Sequence, residues 1–374
     1  MFIAKKSKYP IGLDISDTSL KIVQLKKSKG NLAIQALGRV SLPTGTMSDG
    51  EIKNEKNFSE ALTKLLNKPQ FGSLTTDEVS ACLPDAKTFI KLISIEKSPN
   101  EIADIIETEM QKHIPLSLED MYYDWQIIEE NQETAWVLVG AAPKNIVESY
   151  VNILKSINLS PIALEIESVA ICRALLREEM PKYEEQKGNY CLIDIGANRT
   201  GIIIYRQNTI VLSLSIPISG QEITDKIASS LEITKEQAEK AKIICGFDKS
   251  KAHGIISDLL SDMAKKLINR IKQTLEFYED HYPDQGNIEK IILCGGGANI
   301  KNLDNLIAEA LKIPVENGDI FINLQEGDKK IKDNLKETHR LKKDKKIKTK
   351  QTLAIEQNTN LSYATAIGLA LRPL

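Results

Sequence analysis

An apolar run interrupted by a short polar turn occurs twice along the chain, at residues 11–23 and 192–203. In each copy the first run leads into an aspartate, an isoleucine and a small residue, and a second apolar run follows the turn. This pattern predicts a strand, a tight turn and a returning strand. A further apolar run follows each copy, at 32–43 and 209–218. Because the copies are far apart in sequence, we expect two homologous domains rather than a solenoid of short repeats.

A glycine-rich loop follows a late apolar run. Residues 291–294 are typical of a buried strand, and Gly295, Gly296 and Gly297 permit close approaches that other residues do not. The apolar positions of residues 300–311 lie on one face of a predicted helix. A strand, a glycine-rich loop and a helix in this order favour an anion or a sugar phosphate at the helix N-terminus. Neither GxGxxG nor GxxxxGKS occurs, so Rossmann and Walker sites are not indicated.

The chemistry of the two turns points to phosphate. Asp14 and Asp194 lie at the ends of their strands, and each tip has a small residue, Ser16 or Gly196. Small residues let backbone N–H groups approach an anion closely. Hydrated Mg²⁺ needs few carboxylates, so each aspartate is a candidate to hold the ion through water. Two such tips facing each other would hold a nucleoside triphosphate from both sides.

Residues 78–164 have a mixed αβ pattern of their own. Residues 98–101 read Ser-Pro-Asn-Glu, a capping box with proline at the first helical position. A helix with one apolar face follows this capping box. The remaining periodicity predicts strands at 79–83, 87–95, 121–128 and 135–142 and a second helix at 144–157. We therefore expect a compact αβ insertion inside the first domain.

A helical region, residues 219–282, follows the second hairpin. Residues 234–237 form another capping box. In the helix that it begins, Glu239 and Lys242 are three positions apart and share one face. The long helix at 255–282 carries apolar residues at three- and four-residue intervals, which predicts a buried stripe rather than a cofactor site.

The net charge of −2 conceals one strongly basic segment. Residues 329–350 contain eleven Lys or Arg and three Asp or Glu, so the rest of the chain is acidic. With few large apolar residues the segment cannot offset its ordering entropy, and we expect a solvated, mobile insertion. The alternative is a contact with an anionic membrane or a nucleic acid. The absence of aromatic residues from this segment argues against stacking on nucleic-acid bases.

Composition excludes several classes of protein. The 374 residues are 42% hydrophobic, enough for buried cores, and no charge-free run is long enough to span a membrane. The five cysteines are dispersed and the four histidines isolated, so a disulfide framework, a zinc site and a catalytic triad are not indicated. Cys191 and Cys294 are predicted to be buried strand residues. Residues 1–10 lack the apolar run of a secretory signal, and a cytoplasmic protein is expected.

The two aspartate hairpins, the Gly-Gly-Gly-Ala loop and two connecting helices together resemble the actin-like ATPase superfamily. The resemblance covers nearly the whole chain. The superfamily's two phosphate hairpins, first connecting helix, adenosine loop and last connecting helix correspond to residues 11–23, 191–204, 165–176, 293–299 and 361–371. Small residues of the last helix would allow close helix packing, namely Ala364, Ala366, Gly368 and Ala370.

Within the superfamily, the chain is similar to the PilM family of type IV pilus assembly proteins, which are related to FtsA. The likeness lies in residues 11–25, in the Ile-Pro and Asp-Trp-Gln motifs of residues 107–127, and in residues 141–170. It implies an α/β, actin-like fold of two duplicated domains around a nucleotide cleft, with an SHS2-like αβ insertion in the first domain. The implied units are residues 8–77 with 165–188, the insertion 78–164, and 189–374 with a helical cap at 221–283.

The resemblance also implies ATP and Mg²⁺ as cofactors. Asp14 and Asp194 would hold the metal through water, and Glu167 would position the attacking water. Glu239 and Lys242 would contact ribose and adenine, unless they form an ordinary surface ion pair. The residues expected around the nucleotide are Asp14, Ser16, Asp17, Thr18, Ser19, Lys21, Asp194, Gly196, Asn198, Arg199, Thr200, Gly220, Glu239, Lys242, Gly295, Gly296, Gly297 and Asn299.

Ser16 departs from the family pattern, which usually has glycine at this position. Its side chain would either crowd the γ-phosphate side of the first hairpin or donate one hydrogen bond. We therefore expect nucleotide binding with slow hydrolysis or none.

Members of this family dock the short cytoplasmic N-terminus of PilN, a single-span membrane protein, so a PilN-like partner is expected. The peptide would lie in a groove between the first domain and residues 78–164. The chain would then be peripheral to the inner membrane through its partner. Self-association and membrane contact through residues 329–350 stay open, and no nucleic acid is expected.

Two other functions compete with this one. The first is an FtsA-like membrane-associated filament protein, although residues 371–374 do not resemble the amphipathic C-terminal helix of FtsA. The second is an actin-fold kinase of a small molecule, which needs a general base near the γ-phosphate. The sequence offers no second polar cluster to supply that base.

Overall fold

The structure is a computed structural model of the 374-residue chain. It describes residues 9–28, 31–97, 102–114, 117–177, 188–283, 286–324 and 360–372. The basic segment 329–350 and the capping box predicted at 98–101 lie outside the described residues.

Strands and helices follow the order that the sequence pattern predicts. The strands are β1 (Ile11–Ile15), β2 (Ser19–Ser28), β3 (Asn31–Ser41), β4 (Met47–Ser48), β5 (Glu51–Ile52), β6 (Phe71–Gly72), β7 (Glu78–Leu83), β8 (Phe89–Glu96), β9 (Met121–Glu130), β10 (Thr134–Pro143), β11 (Ser160–Ile166), β12 (Asn189–Ile195), β13 (Thr200–Arg206), β14 (Thr209–Ile216), β15 (Lys290–Cys294) and β16 (Val315–Asn317). The α-helices are α1 (Glu55–Asn67), α2 (Ile102–His113), α3 (Lys144–Ser156), α4 (Glu167–Leu175), α5 (Gly220–Leu231), α6 (Lys235–Cys245), α7 (Ile255–His281), α8 (Leu303–Leu311) and α9 (Ala364–Ala370). Within the described ranges, no helix has the length and the apolar composition that crossing a membrane requires.

Two mixed sheets carry the fold, each built around one aspartate hairpin. The described strands follow the order β11-β7-β1-β2-β3-β6 in the first sheet and β16-β15-β12-β13-β14-β8-β10-β9 in the second. The hairpin strands β1 and β2 are antiparallel, as are β12 and β13. Each hairpin has a parallel strand on its other side, β7 in the first sheet and β15 in the second. The predicted duplication is therefore confirmed.

The hairpin strands lie in the middle of the core. Leu13 is opposite Ile22 in the first hairpin, and Ile193 is opposite Ile202 in the second. All four side chains have no exposed surface. Burying each of them stabilises the fold by about 1.5–3 kcal/mol. Both hairpins are thus anchored along their strands, and their tips are presented from a rigid base.

The two connecting helices, α4 and α9, pack against each other and against the hairpin sheets. A Cβ atom on Gly368 of α9 would overlap the carbonyl oxygen of Ala170 in α4. A Cβ atom on Gly12 of β1 would overlap the carbonyl oxygen of Ala366. Because these contacts leave no room for a side chain, the predicted close packing of the last connecting helix is confirmed.

The first connecting helix begins two residues later than predicted. Glu165 and Ile166 belong to β11, and α4 starts at Glu167 because Ile166 keeps an extended backbone (ψ 134°). Glu165 is buried, and Arg173 donates to both of its carboxylate oxygens (2.7 and 3.0 Å). Arg372, at the end of α9, also donates to this carboxylate. Glu165 therefore ties the ends of the two connecting helices together.

The segment 78–164 is divided between the two sheets. Its end strands, β7 and β11, pair with each other, and β7 pairs with β1 of the first sheet. Its inner strands, β8, β10 and β9, extend the second sheet, where Lys91 of β8 lies opposite Leu212 of β14. We call β8, α2, β9, β10 and α3 the inserted module. The sequence pattern predicts an insertion within the first domain but not its pairing with β14, because periodicity identifies a strand and not its partner.

The helical cap of the second domain consists of α5, α6 and α7. Helix α6 begins with the predicted capping box, in which the Thr234 hydroxyl accepts the N–H of Gln237 (3.2 Å). In return, the Gln237 side chain accepts the N–H of Thr234 (3.0 Å). Along α7, Leu267, Ile271 and Tyr278 are fully buried, which confirms the predicted apolar stripe.

Candidate functional site

The tips of the two hairpins face each other across a narrow cleft. Asn198 of the second tip donates a hydrogen bond from its side-chain amide to the carboxylate of Asp17 in the first tip (2.9 Å). The predicted site residues that line the cleft are Ser16, Asp17, Thr18, Glu167, Asp194, Gly196, Asn198 and Arg199. The structure therefore brings residues from both copies of the hairpin to one place.

Ser16 closes the turn of the first hairpin. Its N–H (3.1 Å) and its hydroxyl (2.9 Å) both donate to the carbonyl oxygen of Ser19. Local hydrogen bonds of this kind are typical of serine in tight turns. The Ser16 hydroxyl is therefore engaged by the backbone of its own turn, and its expected effect on a γ-phosphate stays a prediction.

Asp14 is held by a cation of its own hairpin. The Lys21 ammonium donates to its carboxylate (2.6 Å), and both side chains are buried. The two residues lie directly opposite each other in the strand register. The residues lining the cleft include Asp194 but neither Asp14 nor Lys21. Asp14 could therefore influence a ligand in the cleft only through its charge and through Lys21.

Asp194 has a different environment, because Gly201 lies opposite it where Lys21 lies opposite Asp14. The thiol of Cys294 donates to the Asp194 carboxylate (3.6 Å). Burial, and then the negative charge of Asp14, raise the pKa of Asp194 from 3.8 to about 6. A cation bound in the cleft would favour the ionised form of this carboxylate.

Glu167 begins α4 and lines the same cleft. The hydroxyl of Thr365 in α9 donates to its carboxylate (3.4 Å). Its pKa is raised well above the ordinary value, first by burial and then by the negative charges of Asp194 and Asp85. A carboxyl group with a raised pKa keeps its proton to higher pH, and while protonated it cannot accept a proton from water.

Arg199 and Thr200 follow the second tip and have different surroundings. The Arg199 guanidinium donates to the side chain (2.8 Å) and to the carbonyl oxygen (3.0 Å) of Ser215 in β14. Thr200 is buried, and its hydroxyl donates to the carbonyl oxygen of Ile218 (2.9 Å). Arg199 is thus the one of the two that is placed at the cleft, and Thr200 stabilises the hairpin.

The predicted ribose and adenine residues lie beside the second tip, outside the cleft lining. The buried Lys242 ammonium donates to the carbonyl oxygen of Gly220 (2.9 Å) and to the Thr224 hydroxyl (2.8 Å). It also lies 2.6 Å from the carboxylate of Glu239. The N–H of Gly220 in turn donates to the carbonyl oxygen of Gly196 (3.3 Å). Lys242 therefore joins α6 to α5 within the cap, the N–H of Gly220 connects α5 to the hairpin, and 44% of the Glu239 side chain is exposed.

The three glycines of the loop have different environments. Gly295 has a left-handed backbone (φ 77°), and a Cβ atom there would overlap the carboxylate of Asp194. A Cβ atom on Gly297 would overlap the side chain of Ile195. Around Gly296, by contrast, a Cβ atom would meet no atom within 4 Å. Gly295 and Gly297 thus allow the loop to pack on β12, and Gly296 leaves open space for a ligand.

The helix after this loop begins at Leu303 rather than at residue 300. Gly296–Asn299 forms a 3₁₀ turn, and Asn302 has a left-handed backbone (φ 62°) that interrupts the helical path. The side-chain amide of Asn299 donates to the carbonyl oxygen of Gly296 (3.0 Å). The glycine loop itself, rather than the N-terminus of α8, therefore lies beside Asp194.

A metal ion would find few protein ligands here. Of the residues that the structure describes, no group of three or more His, Cys, Asp or Glu side chains is arranged to hold a metal ion. Asp194 and Glu167 both line the cleft. One or two carboxylates suffice for Mg²⁺, which keeps several of its waters. The donor set thus fits a hydrated Mg²⁺ and not a metal enclosed by protein ligands.

A family model of the type IV pilus assembly protein PilM matches residues 12–374. The chain belongs to the PilM family. FtsA, the cell division protein of Pseudomonas aeruginosa, is 21% identical over 358 residues, which cover 85% of this chain and 84% of that protein. FtsA of Buchnera aphidicola is 27% identical over 160 residues, a match that spans 36% of this chain and only 38% of the relative.

Solved structures agree with this family in their fold. A PilM-PilN type IV pilus biogenesis complex is 22% identical with a TM-score of 0.74, over 97% of this chain and 98% of that one. The ethanolamine utilization protein EutJ from Carboxydothermus hydrogenoformans is 14% identical with a TM-score of 0.53, over 99% and 92% of the two chains. The predicted α/β, actin-like fold is therefore confirmed.

Asp85 is a cleft residue of this PilM family member that the sequence pattern does not single out. Its carboxylate accepts the N–H of Ser168 in α4 (3.2 Å) and the hydroxyl of Ser213 in β14 (2.9 Å). Burial raises the pKa of Asp85. Asp14 and Asp194 are identified as acids close to the end of a buried strand. Asp85 has the same property, because it follows β7.

Each hairpin aspartate has a cysteine beside it on the neighbouring parallel strand. Cys82 of β7 lies 3.9 Å from Asp14, and Cys294 of β15 is in register with Asp194. Burial is the main cause that raises the pKa of both thiols. They are therefore neutral neighbours of the carboxylates and not nucleophiles. Cys191 and Cys294 are fully buried, as predicted.

Proposed function

We propose that the chain is a nucleotide-binding scaffold of a type IV pilus or related secretion assembly platform, with ATP and Mg²⁺ as its cofactors. The observation that carries this proposal is the meeting of two aspartate hairpins at one cleft, where Asp17 and Asn198 are hydrogen-bonded (2.9 Å). Membership of the PilM family supports the role in pilus assembly.

The phosphates would lie between the hairpin tips. Backbone N–H groups of residues 17–18 and 197–198 would donate to them, and Arg199 would add a guanidinium from the cleft wall. Lys21, buried behind the first tip, would contribute positive charge. The ribose would lie near Glu239, and the base near the open side of Gly296.

A bound Mg²⁺ would neutralise charge on the phosphates. Asp194, which lines the cleft, would hold it through water, and Asp14 would orient the Lys21 ammonium behind the phosphates. Glu167 would position water, but because its pKa is raised it would accept a proton from that water only at the higher pH values where it is ionised. This combination supports slow hydrolysis or none.

We further propose that the chain docks the short cytoplasmic N-terminus of a PilN-like single-span membrane protein. Support comes from the similar fold of the solved PilM-PilN complex and from family membership. The inserted module and the first sheet would form the two walls of the groove. Such docking would place the chain at the cytoplasmic face of the inner membrane.

Calorimetric titration with Mg-ATP and Mg-ADP tests the nucleotide proposal. Asp194→Asn should weaken binding of the magnesium complexes by about tenfold or more, because the carboxylate proposed to hold the ion through water is removed. Asp225→Asn is the matched control, since Asp225 lies in the cap and pairs with Lys235 (2.8 Å) at the surface. Equal affinities of native chain and Asp194→Asn would refute the role of Asp194, and no binding by the native chain would refute the proposed function.

A pull-down from membranes, with and without ATP, tests the partner proposal. We expect recovery of a single-span protein with a short cytoplasmic tail, and a synthetic peptide of that tail should compete for binding. A scrambled peptide of the same composition is the control. If the scrambled peptide prevented recovery of the membrane protein as well as the native peptide does, docking of a specific segment would be contradicted.

A further inference from the structure

Asp17 occupies the gap between the two hairpin tips. One of its carboxylate oxygens accepts the N–H of Gly50 (2.9 Å). The other accepts the N–H of Asp49 (3.2 Å) and the side-chain amide of Asn198 (2.9 Å). These three donors are neutral groups, so they orient the carboxylate without cancelling its charge. The guanidinium of Arg199 is directed to Ser215 and lies 3.8 Å from the carboxylate of Asp49.

This position matters for the length of the phosphate chain that the cleft can accept. A terminal phosphate between the tips would lie close to the negative charge of Asp17. Like charges that are close together repel strongly in a partly buried site. The phosphate would also have to replace the hydrogen bond between Asp17 and Asn198. A diphosphate has one phosphate fewer and would place less negative charge beside Asp17.

We propose that Asp17 is a specificity-determining residue, whose carboxylate between the hairpin tips makes the cleft prefer a nucleoside diphosphate to a triphosphate. The inference rests on the proposed nucleotide function and deepens it. The wild-type chain should bind Mg-ADP about tenfold more tightly than Mg-ATP. A triphosphate that does bind must move Asp17 away from Asn198.

Movement of Asp17 would reach the inserted module through the turn at residues 49–50. The carbonyl oxygen of Gly50 accepts the buried hydroxyl of Tyr150 in α3 (2.8 Å). A Cβ atom on Gly50 would overlap the ring of Pro84, which leads into β8. The same turn therefore touches the nucleotide cleft on one side and the inserted module on the other. Binding of a triphosphate is thus expected to loosen the contact at Tyr150.

The test is calorimetry with Mg-ADP and Mg-ATP on the native chain and on Asp17→Asn. This variant keeps an oxygen for the Gly50 N–H but removes the charge. Its affinity for Mg-ATP should rise about tenfold, and its affinity for Mg-ADP should stay within about twofold. Asn198→Ala, which removes the bridge and keeps the charge, should raise Mg-ATP affinity by only about threefold. Asp225→Asn is the matched control, because it removes an acid at the surface of the cap, away from the hairpin tips.

Hydrogen exchange is the second measurement. If Asp17 had only a structural role, exchange would not depend on which nucleotide is bound. In the native chain, Mg-ATP should increase exchange at residues 46–54 and 144–156 relative to Mg-ADP, and in Asp17→Asn this difference should disappear. Equal affinity of the native chain for the two nucleotides, unchanged in Asp17→Asn, would overturn the inference and leave the nucleotide proposal standing. Absence of binding of either nucleotide to the native chain would overturn both.

Discussion

The ammonium of Lys21 lies 2.6 Å from the carboxylate of Asp14, with 9% and 4% of the two side chains exposed. In the second copy of the hairpin, Gly201 stands at the position equivalent to Lys21. The residue opposite Asp194 therefore carries no positive charge. A duplicated pattern has therefore produced one neutralised and one unneutralised aspartate. The two residues, similar in sequence, are expected to respond differently to substitution.

Lys21→Met should destabilise the fold by about 3 kcal/mol or more, because it leaves the buried carboxylate of Asp14 without its partner. Chemical denaturation at pH 7 measures this change. Adding Asp14→Asn to the same chain should recover much of the loss, since no buried charge then remains unpaired. A single variant as stable as the native chain would contradict burial of the pair.

The stability of the chain should depend on the ionisation of Asp194. Its pKa is raised from 3.8 to about 6 in the folded chain, so the folded state holds this proton more tightly than the unfolded state. The stabilising contribution is then full below about pH 4 and is lost as the pH rises through about 6. Asp194→Asn removes this titration and should be more stable than the native chain at pH 7 by about 2–3 kcal/mol.

Denaturation curves at several pH values between 4 and 7, without divalent cations, check this prediction. The difference between Asp194→Asn and the native chain should grow as the pH rises. Mg²⁺ with nucleotide should reduce it, because the bound cation favours the ionised carboxylate. A difference that is the same at pH 4 and pH 7 would show that Asp194 titrates normally.

Gly297 is tightly packed and Gly296 faces open space, so substitution of the first should affect stability and substitution of the second should affect nucleotide binding. Gly297→Ala should cost about 1–3 kcal/mol of stability, because its methyl group would overlap Ile195. Gly296→Ala should leave the melting temperature unchanged, since no atom lies within 4 Å of the new methyl group. Affinity for Mg-ADP should nevertheless fall in Gly296→Ala. Loss of stability in Gly296→Ala, with nucleotide affinity retained, would contradict the role of open space at this position.

Gly368→Ala should separate the two connecting helices. The added methyl group would overlap the carbonyl oxygen of Ala170, so α4 and α9 must move apart at a cost of about 1–3 kcal/mol. Gly140→Ala is the control, because its methyl group would come no closer than 3.4 Å to Ile166. Thermal unfolding of the two variants should therefore differ by several degrees. Similar melting temperatures would argue against the close crossing.

Much of the fold could be predicted from local pattern, and much of the site from its duplication. The alternation of apolar and polar residues identifies both hairpins, and Thr234 with Gln237 marks the start of α6. The pairing of Lys91 with Leu212 could not be predicted, because it joins strands that are distant in sequence. Asp85 lies close to the end of a buried strand as Asp14 and Asp194 do, but its contacts with Ser168 and Ser213 could not be predicted, because they come from two other elements.

The continuous sheet from β14 into β8 has a mechanical consequence. The inserted module is fixed to the first half of the molecule by its two chain connections and to the second half by strand pairing at Lys91 and Leu212. The module therefore connects the two halves of the molecule. If the two halves rotate relative to each other when a ligand binds, either the pairing of Lys91 with Leu212 must break or the inserted module must tilt. A partner bound to the inserted module could then restrict or permit this rotation without contacting the nucleotide.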